Sequence, residues 1–306
     1  MSRRALLLFL GLGFAWGIPY LLIKVAVEEI SPAQLVLGRT SLAALLLLPV
    51  ALARSAVMPV LREWRPLLAY SLIEIAIPWV ALGSAETRLP SSTTGLLIAA
   101  VPLVGLAVAF LSGRAEQLSP TAWLGLGLGI AGVAALVGLD VSGSDLGAVG
   151  EIGIVVVCYA LGPAILARSL AHLPGLGVVA LSLTFTALLY VPIVLVSDGV
   201  PSGLPSGKVV LSVALLAVVC TAAAFLMLFA LVGEVGPVRA TTITYVNPAV
   251  AVLAGVIILD EPFTVWTAVG FVLVVAGSFL VNRRPRRTEE HDSAGAPGQP
   301  VAVEPG

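Results

Sequence analysis

The sequence has few charged residues, few aromatic residues and almost no cysteine or histidine. Of its 306 residues only 11% are charged and 6% are aromatic, whereas 59% are hydrophobic, and the mean hydropathy is +1.08. Soluble domains have about 25% charged and roughly 45–50% apolar residues. With so little charge, a water-facing surface cannot cover so large an apolar fraction. These shortages exclude a soluble globular domain, a disordered chain and a collagen-like chain, and the composition predicts a membrane protein.

The scarcity of cysteine and histidine excludes several kinds of site. Cys158 and Cys220 lie in separate apolar runs without Cys or His neighbours, so neither a disulfide framework nor a zinc site is predicted. We interpret both as small packing residues. His172 is the only histidine before the C-terminal tail, so catalytic triads and histidine-based metal sites lack their parts. We expect neither a metal nor a cofactor.

Apolar segments of membrane-spanning length fill most of the chain. A transmembrane helix needs about 20 apolar residues. A β-barrel would show alternating segments of about ten residues, whereas residues 42–52 and 249–259 are unbroken apolar runs. The predicted fold is therefore an all-α polytopic membrane protein with ten transmembrane helices. The ten segments are 5–26, 32–53, 66–84, 91–112, 120–139, 148–169, 175–197, 208–232, 237–259 and 263–282.

The distribution of basic residues predicts the orientation of these segments. Cytoplasmic loops carry an excess of Lys and Arg, and with the N-terminus inside, most basic residues fall in inner loops and tails. We therefore expect a multi-pass protein of the cell (plasma) membrane whose N- and C-termini are cytoplasmic. The tail 283–306 is rich in Pro, Gly, Ala and acidic residues, and it is predicted to be disordered and cytoplasmic.

The two halves of the chain resemble each other. Ala15-Trp16-Gly17 corresponds to Ala160-Leu161-Gly162, 145 residues later, and Glu116 corresponds to Glu261 at the same offset. We predict one five-helix repeat at 5–139 and a second at 148–282. Because five is odd, the second repeat enters the bilayer from the opposite side, so the repeats are inverted. Inverted repeats are typical of secondary transporters. The alternative is a duplicated helical scaffold that transports nothing.

The loop after the fourth segment and its second copy carry the pattern of a known family. Gly113-Arg114-Ala115-Glu116-Gln117-Leu118-Ser119-Pro120 leads to Trp123 and Ala131-Gly132-Val133, and Leu259-Asp260-Glu261-Pro262-Phe263-Thr264 leads to Gly270 and Ala276-Gly277. Together with Trp16-Gly17, Lys24 and Arg39, this pattern resembles the EamA-type members of the drug/metabolite transporter superfamily over residues 5–282. The resemblance implies ten helices in two inverted five-helix repeats, cytoplasmic termini, and movement, often export, of amino acids or other small metabolites.

Glu74 is the most informative single residue for function. It lies about eight residues into its segment, roughly 12 Å from the inner edge at 1.5 Å per residue. An ionised carboxylate at such depth costs about 3 kcal/mol and is a functional candidate by default. Two readings stand: a static ion pair with Arg39, and a carboxylate that binds a proton or substrate. The offset of 145 carries Glu74 to Val219 and Arg39 to Thr184, so these charges are not duplicated, which favours a single asymmetric task.

Other polar, aromatic and proline residues inside the segments complete the candidate site. Polar groups in hydrocarbon need partners, so Tyr245 and Asn247 are expected to face inward. Pro102 and Pro248 are predicted helix breaks, and paired broken helices indicate the binding site of a transporter. Interhelical packing or anchoring at the membrane interface is the alternative for each aromatic residue. The remaining candidates for substrate binding or coupling are Trp16, Tyr20, Trp79 and Tyr159.

The leading functional hypothesis is a secondary transporter that works by alternating access. We expect it to export a small polar or amphipathic metabolite, with proton coupling left open. Its partners are then a small-molecule substrate and the lipid bilayer, while a net charge of −1 gives no reason to expect nucleic acid. A homodimer is left open. The alternatives are a membrane enzyme acting on lipid or prenyl substrates, a channel, and a non-transporting scaffold. Such enzymes show acidic metal-binding pairs, whereas adjacent acids here lie at segment ends or in the tail, so we expect no enzymatic activity.

Overall fold

The computed structural model describes residues 2–111, 120–140, 145–198, 203–236, 243 and 246–282. These residues form helices and no strand, which confirms the all-α class. Within them, seven helices are long and apolar enough to cross a membrane. These are α1 (Arg3–Ala26), α2 (Pro32–Ala53), α3 (Trp64–Glu86), α4 (Ser91–Val108), α6 (Leu146–Leu170), α7 (Gly175–Ser197) and α8 (Gly207–Val235). Three further helices are α5 (Pro120–Asp140), α9 (Asn247–Ile258) and α10 (Val265–Asn282).

The ten predicted segments are therefore supported unequally. The helix α5 is 21 residues long and α10 is 18, which suits a bilayer crossing, although their described apolar stretches are shorter than 18 residues. The helix α9 has 12 described residues. The predicted segment 237–259 begins as a described helix only at Asn247. Two sequence predictions, on the motif Gly113–Ser119 and on the tail 283–306, lie outside the described residues. The described helices show a helical multi-pass chain, and the ten-span arrangement remains a prediction.

Two of the long helices contain a π-helical turn near their middle, where backbone hydrogen bonds span five residues instead of four. In α3 the stretch Ser71–Ala76 is π-helical, and the amide of Ile77 donates to the carbonyl of Leu72, five residues earlier. The stretch Val218–Ala223 of α8 is π-helical as well. Single π-helical turns inside α-helices frequently mark functional sites, because they release backbone groups and turn side chains away from the regular helical positions.

The helices pack in pairs that join the two halves of the chain. The pairs are α1 with α8, α2 with α7, α3 with α6, α4 with α9, and α5 with α10. Small or aliphatic residues such as Ala43, Leu47 and Leu183 are buried between them. On the outside, large apolar side chains face away from the protein; Leu7, Leu45, Val196 and Ile257 are 71–89% exposed. An apolar exterior suits a protein surrounded by lipid.

Glycine allows the backbones of α5 and α10 to touch. A Cβ added to Gly277 would lie 2.6 Å from the carbonyl oxygen of Gly125 and from the amide nitrogen of Gly129. Small residues at such crossings let transmembrane helices approach closely. Gly127 is on the same helix α5, but a Cβ there would meet no atom within 4 Å. Gly127 points away from α10.

We expect Gly277→Ala to destabilise the protein. The added methyl group would force two backbones apart, which typically costs about 1–3 kcal/mol. Gly127→Ala is the matched control on the facing helix, since alanine has open space there and a better helix propensity. The measurement is the melting temperature of purified protein in detergent. Equal melting temperatures for the two variants would show that the crossing of α5 and α10 is not tightly packed.

Candidate functional site

Arg39 of α2 lies in the interior and bridges the two halves. Its side chain is 7% exposed. The Nε–H group donates to Thr221 Oγ1 at 2.9 Å, and Cζ lies 3.7 Å from the centroid of the Trp79 ring. Thr221 belongs to the π-helical turn of α8 and itself donates to the carbonyl of Leu216 at 2.8 Å. A cation stacked on an aromatic face is held by the ring quadrupole, so α3 and α8 together fix the guanidinium.

The structure does not form the ion pair between Arg39 and Glu74. The ion pairs among the described residues involve other groups, namely Arg4 with Glu234, Arg88 with Glu151, and Lys208 with Glu28. The reading of Glu74 as a static partner of Arg39 is therefore wrong for this conformation. The physical reason is that Trp79 and Thr221 already engage the guanidinium, while the carboxyl of Glu74 lies against α6.

Glu74 contacts the backbone of α6 at Gly162. A Cβ on Gly162 would overlap Glu74 Oε2 and would lie 2.9 Å from its Cδ. The Oε2 atom is buried and has no hydrogen-bond partner in the protein. Glu74 sits within the π-helical turn of α3, near the middle of that helix. A carboxyl oxygen without a partner in the protein interior is costly, so this position favours a group whose protonation or ligand changes during function.

Two tyrosines complete the interior group. The side chain of Tyr159 lies close to Trp79 and within electrostatic range of Glu74 and Arg39. Tyr20 is 8% exposed and interacts electrostatically with Tyr159 and Arg39. Five of the predicted site residues therefore lie together. We call these five, Tyr20, Arg39, Glu74, Trp79 and Tyr159, the central cluster.

The central cluster does not include three other predicted site residues, Trp16, Asn247 and Tyr245. Trp16 is half-buried and packs edge-on against Phe225, with ring centroids 6.1 Å apart, so its described contact is interhelical packing. Asn247 is the first residue of α9, and its Oδ1 atom is buried without a partner. An added Cβ on Gly17 would lie 3.2 Å from the Asn247 carbonyl oxygen, which places Asn247 beside α1. Tyr245 lies outside the described residues.

Both prolines stand at the start of a helical stretch. Pro102 is the second residue of Val101–Leu111, and the preceding residues Ala99 and Ala100 interrupt α4. The carbonyl of Ala99 accepts a hydrogen bond from Ser278 Oγ at 2.7 Å, so α10 satisfies one carbonyl that the interruption releases. Pro248 is likewise the second residue of α9. A proline is well tolerated in the first turn of a helix, because no intrahelical partner exists there for its missing N–H.

Three residues of the site gave little signal in the sequence. Gly162 appears there only as part of the repeat, and Thr221 is a lone hydroxyl in an apolar run. Tyr190 of α7 donates to the carbonyl of Ala76 at 2.9 Å, a group at the end of the π-helical turn that carries Glu74. A polar residue inside an apolar segment is the one sequence feature that could have pointed to Thr221 and Tyr190.

At the end of the bundle predicted to face outside, polar contacts join the two halves. Lys208 Nζ lies 2.6 Å from Glu28 Oε2. Glu29 accepts hydrogen bonds from the amide of Ser206 at 2.8 Å and from its hydroxyl at 2.6 Å. Ser31 Oγ donates to Asp198. We call this set of contacts, formed by Glu28, Glu29, Ser31, Asp198, Ser206 and Lys208, the outer latch.

The outer latch is suited to neutral pH. The hydrogen bonds from Ser206 lower the pKa of the Glu29 carboxyl below its ordinary value. A carboxyl with a lowered pKa stabilises the latch fully at any pH above its ordinary pKa. This stabilisation is lost as the pH falls through the lowered pKa. The Glu29 contact of the latch therefore weakens in acid.

The chain is similar to known membrane proteins along most of its length. The EamA-like transporter family matches at residues 3–138 and again at 151–283. The uncharacterized inner membrane transporter YedA of Escherichia coli (strain K12) is 31% identical over 303 residues, covering 93% of this chain and 96% of YedA. The uncharacterized transporter YvbV of Bacillus subtilis (strain 168) is 26% identical over 288 residues, covering 93% of each protein.

A solved crystal structure shares the fold. It superposes with a TM-score of 0.66 at 22% identity, covering 92% of this chain and 98% of the other. At this identity the similarity shows the fold alone. The family assignment rests on the two matches to the family and on the likeness to YedA, and it agrees with the apolar helices described above. The chain is thus a multi-pass membrane protein with a transporter role, and it belongs to the EamA-like transporter family.

Proposed function

We propose that the protein is a secondary transporter that exports a small metabolite, with the central cluster as its substrate and coupling site. This proposal rests on Arg39 and Glu74, which lie where the two halves meet. They carry opposite charges but form no ion pair with each other. No carboxylate of the described residues lies within ion-pair distance of Arg39, and Glu74 Oε2 has no partner. Buried charges are normally paired, so the partners are supplied by something else.

The chemistry of the cluster favours an amino acid or a similar zwitterion. A guanidinium binds a carboxylate with two parallel hydrogen bonds, and Glu74 can accept from an ammonium group or carry a proton. Trp79 stacks with Arg39, and Tyr159 lies within electrostatic range of both charged groups. These two aromatic side chains offer surface for an apolar substrate side chain. Asn247, whose Oδ1 lacks a partner, offers a further acceptor beside Gly17 of α1.

The proposed architecture is two inverted five-helix repeats, at 5–139 and 148–282, with a cytoplasmic tail at 283–306. The packing pairs support it. If each helix is replaced by its counterpart in the other repeat, the pair α1 and α8 becomes the pair α6 and α3, and the other three pairs stay the same. The two π-helical turns near the middle of a helix occupy corresponding helices, α3 and α8. A third π-helical stretch, Leu166–Leu170, ends α6. Two similar halves that can exchange conformations are what alternating access requires.

Reporter fusions test this architecture. We expect fusions at Val141 and Asp198 to report the outside, and fusions at Arg62, Arg114 and Thr288 to report the cytoplasm. The reason is that five helices in each half place the connection between the halves opposite to both termini. A cytoplasmic signal at Val141 would contradict both the ten-span count and the inversion.

The two ends of the bundle differ in a way that supports alternating access. At the predicted outer end, the latch joins the halves through charged and hydroxyl groups. At the opposite end, the corresponding contact is apolar: Gly177 packs on the backbone of Ala56, where an added Cβ would overlap the carbonyl oxygen. Elsewhere at this inner end the halves also share a polar contact, since Arg4 pairs with Glu234 at 3.2 Å. The outer latch consists of exposed polar contacts that water can replace, which suits an end that opens during alternating access.

Counterflow in proteoliposomes tests the function itself. Vesicles are loaded with an unlabelled amino acid, chosen from a growth screen with toxic amino acids and analogues, and then receive the labelled compound outside. A carrier accumulates label transiently because both solutes use one alternating site, whereas a channel only equilibrates. Arg39→Ala is the inactive control, since it removes the proposed carboxylate contact. Absence of counterflow for every compound in the screen would favour the scaffold or enzyme alternatives.

A further inference from the structure

Glu86, the last residue of α3, is enclosed more completely than Glu74. It is 0% exposed, and both of its carboxyl oxygens are buried without a hydrogen-bond partner. It lies at the same end of the bundle as the outer latch, outside the central cluster. The sequence places Glu86 at the end of a segment, where a carboxylate would ordinarily be in water. Its enclosure is therefore a property of the tertiary structure.

The charged groups around Glu86 are engaged with other partners. Lys24 of α1 donates from Nζ to the carbonyl oxygens of Glu86 and Leu89, at 2.7 and 2.9 Å, and is not within ion-pair distance of the Glu86 carboxyl. The phenol of Tyr20 is also within electrostatic range.

Glu261 is a second carboxylate within electrostatic range of Glu86. It follows α9 and accepts hydrogen bonds from the amides of Ser91 and Ser92, at 2.6 and 2.9 Å, at the start of α4. Amide donors at a helix N-terminus stabilise an anion, so these two amides favour a negative charge on the carboxyl that they hold. Two like charges close together in the interior disfavour a second ionisation, and this leaves Glu86 neutral.

Two hydroxyl groups extend this enclosed region. Ser91 Oγ and Thr94 Oγ1, one turn apart on α4, are buried and lack partners. An added Cβ on Gly255 would lie 2.9 Å from Ser91 Oγ and would overlap Glu261 Oε2, so α9 closes the region from the other half of the chain. Buried polar groups are normally hydrogen-bonded, and several unsatisfied oxygens in one place mark a site that acquires its partners in another conformation.

We propose that Glu86 is a second proton-binding carboxyl of the transporter, neutral while the outer end is closed, which releases its proton to water when that end opens. In the release step the O–H bond of the carboxyl breaks, the proton passes to water, and the Lys24 ammonium compensates the carboxylate that remains. The inference rests on the proposed alternating access, and it assigns the outer end a proton site separate from Glu74.

Infrared spectroscopy of the purified protein in lipid tests the protonation state directly. We expect the wild-type spectrum at pH 7 to contain the C=O band of a protonated carboxyl that Glu86→Gln removes. Glu151→Gln is the matched control, because Glu151 lies at the same end but is paired with Arg88 at 2.7 Å, and it should remove no such band. An unchanged band region in Glu86→Gln would show that Glu86 is ionised, which overturns the proposal.

The link to opening is tested by titrating the Glu86 band. Cross-linking Ser31→Cys to Asp198→Cys, which holds the outer end closed, should raise the pH at which the band disappears by at least about one unit relative to the reduced chain, a tenfold change in proton affinity. An identical titration in both states would overturn the coupling to opening. Loss of the band on replacing choline with sodium at constant pH and ionic strength would identify a cation site and overturn the proton site.

These readouts separate this inference from the proposed function. The infrared band requires no transport, so a Glu86 band in a protein without counterflow would contradict the proposed function and leave the proton site standing. If Glu86→Gln fails to fold, Glu86→Asp keeps a titratable carboxyl, and its shifted C=O band provides the assignment. A folded Glu86→Asp protein with an unshifted band would overturn the proposal.

Discussion

Replacing Glu74 with glutamine is expected to reduce transport at least about tenfold, equivalent to roughly 1.4 kcal/mol of barrier, with near-normal folded yield. Glutamine keeps the shape of a neutral carboxylic acid and its hydrogen-bonding capacity but removes the titrating proton and the charge. Because Glu74 Oε2 bonds to nothing in the protein and no ion pair with Arg39 exists, the fold loses no polar contact. The effect therefore falls on turnover.

The measurement is uptake into proteoliposomes alongside thermal melting of the same preparation. Glu63→Gln is the control, since Glu63 is exposed just before α3 and should transport normally. If export follows the pH gradient, Glu74→Gln should also lose that dependence, whereas Glu74→Asp should keep part of it. Wild-type rates in Glu74→Gln would identify Glu74 as a structural polar residue, and a large loss of folded yield would point the same way.

Cross-linking the outer latch is expected to stop transport. Ser31 and Asp198 are in hydrogen-bond contact and belong to different halves, so cysteines at these positions can be joined by a short cleavable thiol reagent. Alternating access requires the outer end to separate, and when a conformational step is blocked the whole cycle stops. We expect at least about a tenfold loss of transport on cross-linking and recovery when the bridge is reduced.

The controls for this experiment are the single variants Ser31→Cys and Asp198→Cys treated with the same reagent. Each removes the native contact without joining the halves, so each should retain transport. The native Cys158 and Cys220 are buried and should react slowly, which the wild-type chain treated in parallel will show. Normal transport by the cross-linked protein would mean that the two halves do not separate at this end.

The sequence was informative wherever a property depends on neighbouring residues. Apolar runs and the shortage of charge predict the membrane class, the helical fold and most helix bounds, because a helix in lipid must satisfy its own backbone and present apolar side chains. The paired motifs pointed to the family. Residue type does not say which helix face meets a neighbour: Gly277 packs on the backbone of α5, whereas Gly127 faces open space.

The partners of the buried charges were decided only by the tertiary structure. Arg39 meets Thr221, 182 residues away, and Glu74 meets the backbone of Gly162, because helices from opposite halves are packed as pairs. The similar depth of Arg39 and Glu74 in the membrane suggested that they form an ion pair. Depth, however, does not say which side of its helix a residue occupies or which neighbouring helix it faces. The π-helical turns in α3 and α8 change the direction of the side chains they carry, and a sequence pattern with a regular helical period cannot contain that rotation. For the same reason Glu86 reads as a solvated helix end in the sequence, while the packing of α1, α4 and the segment carrying Glu261 encloses it.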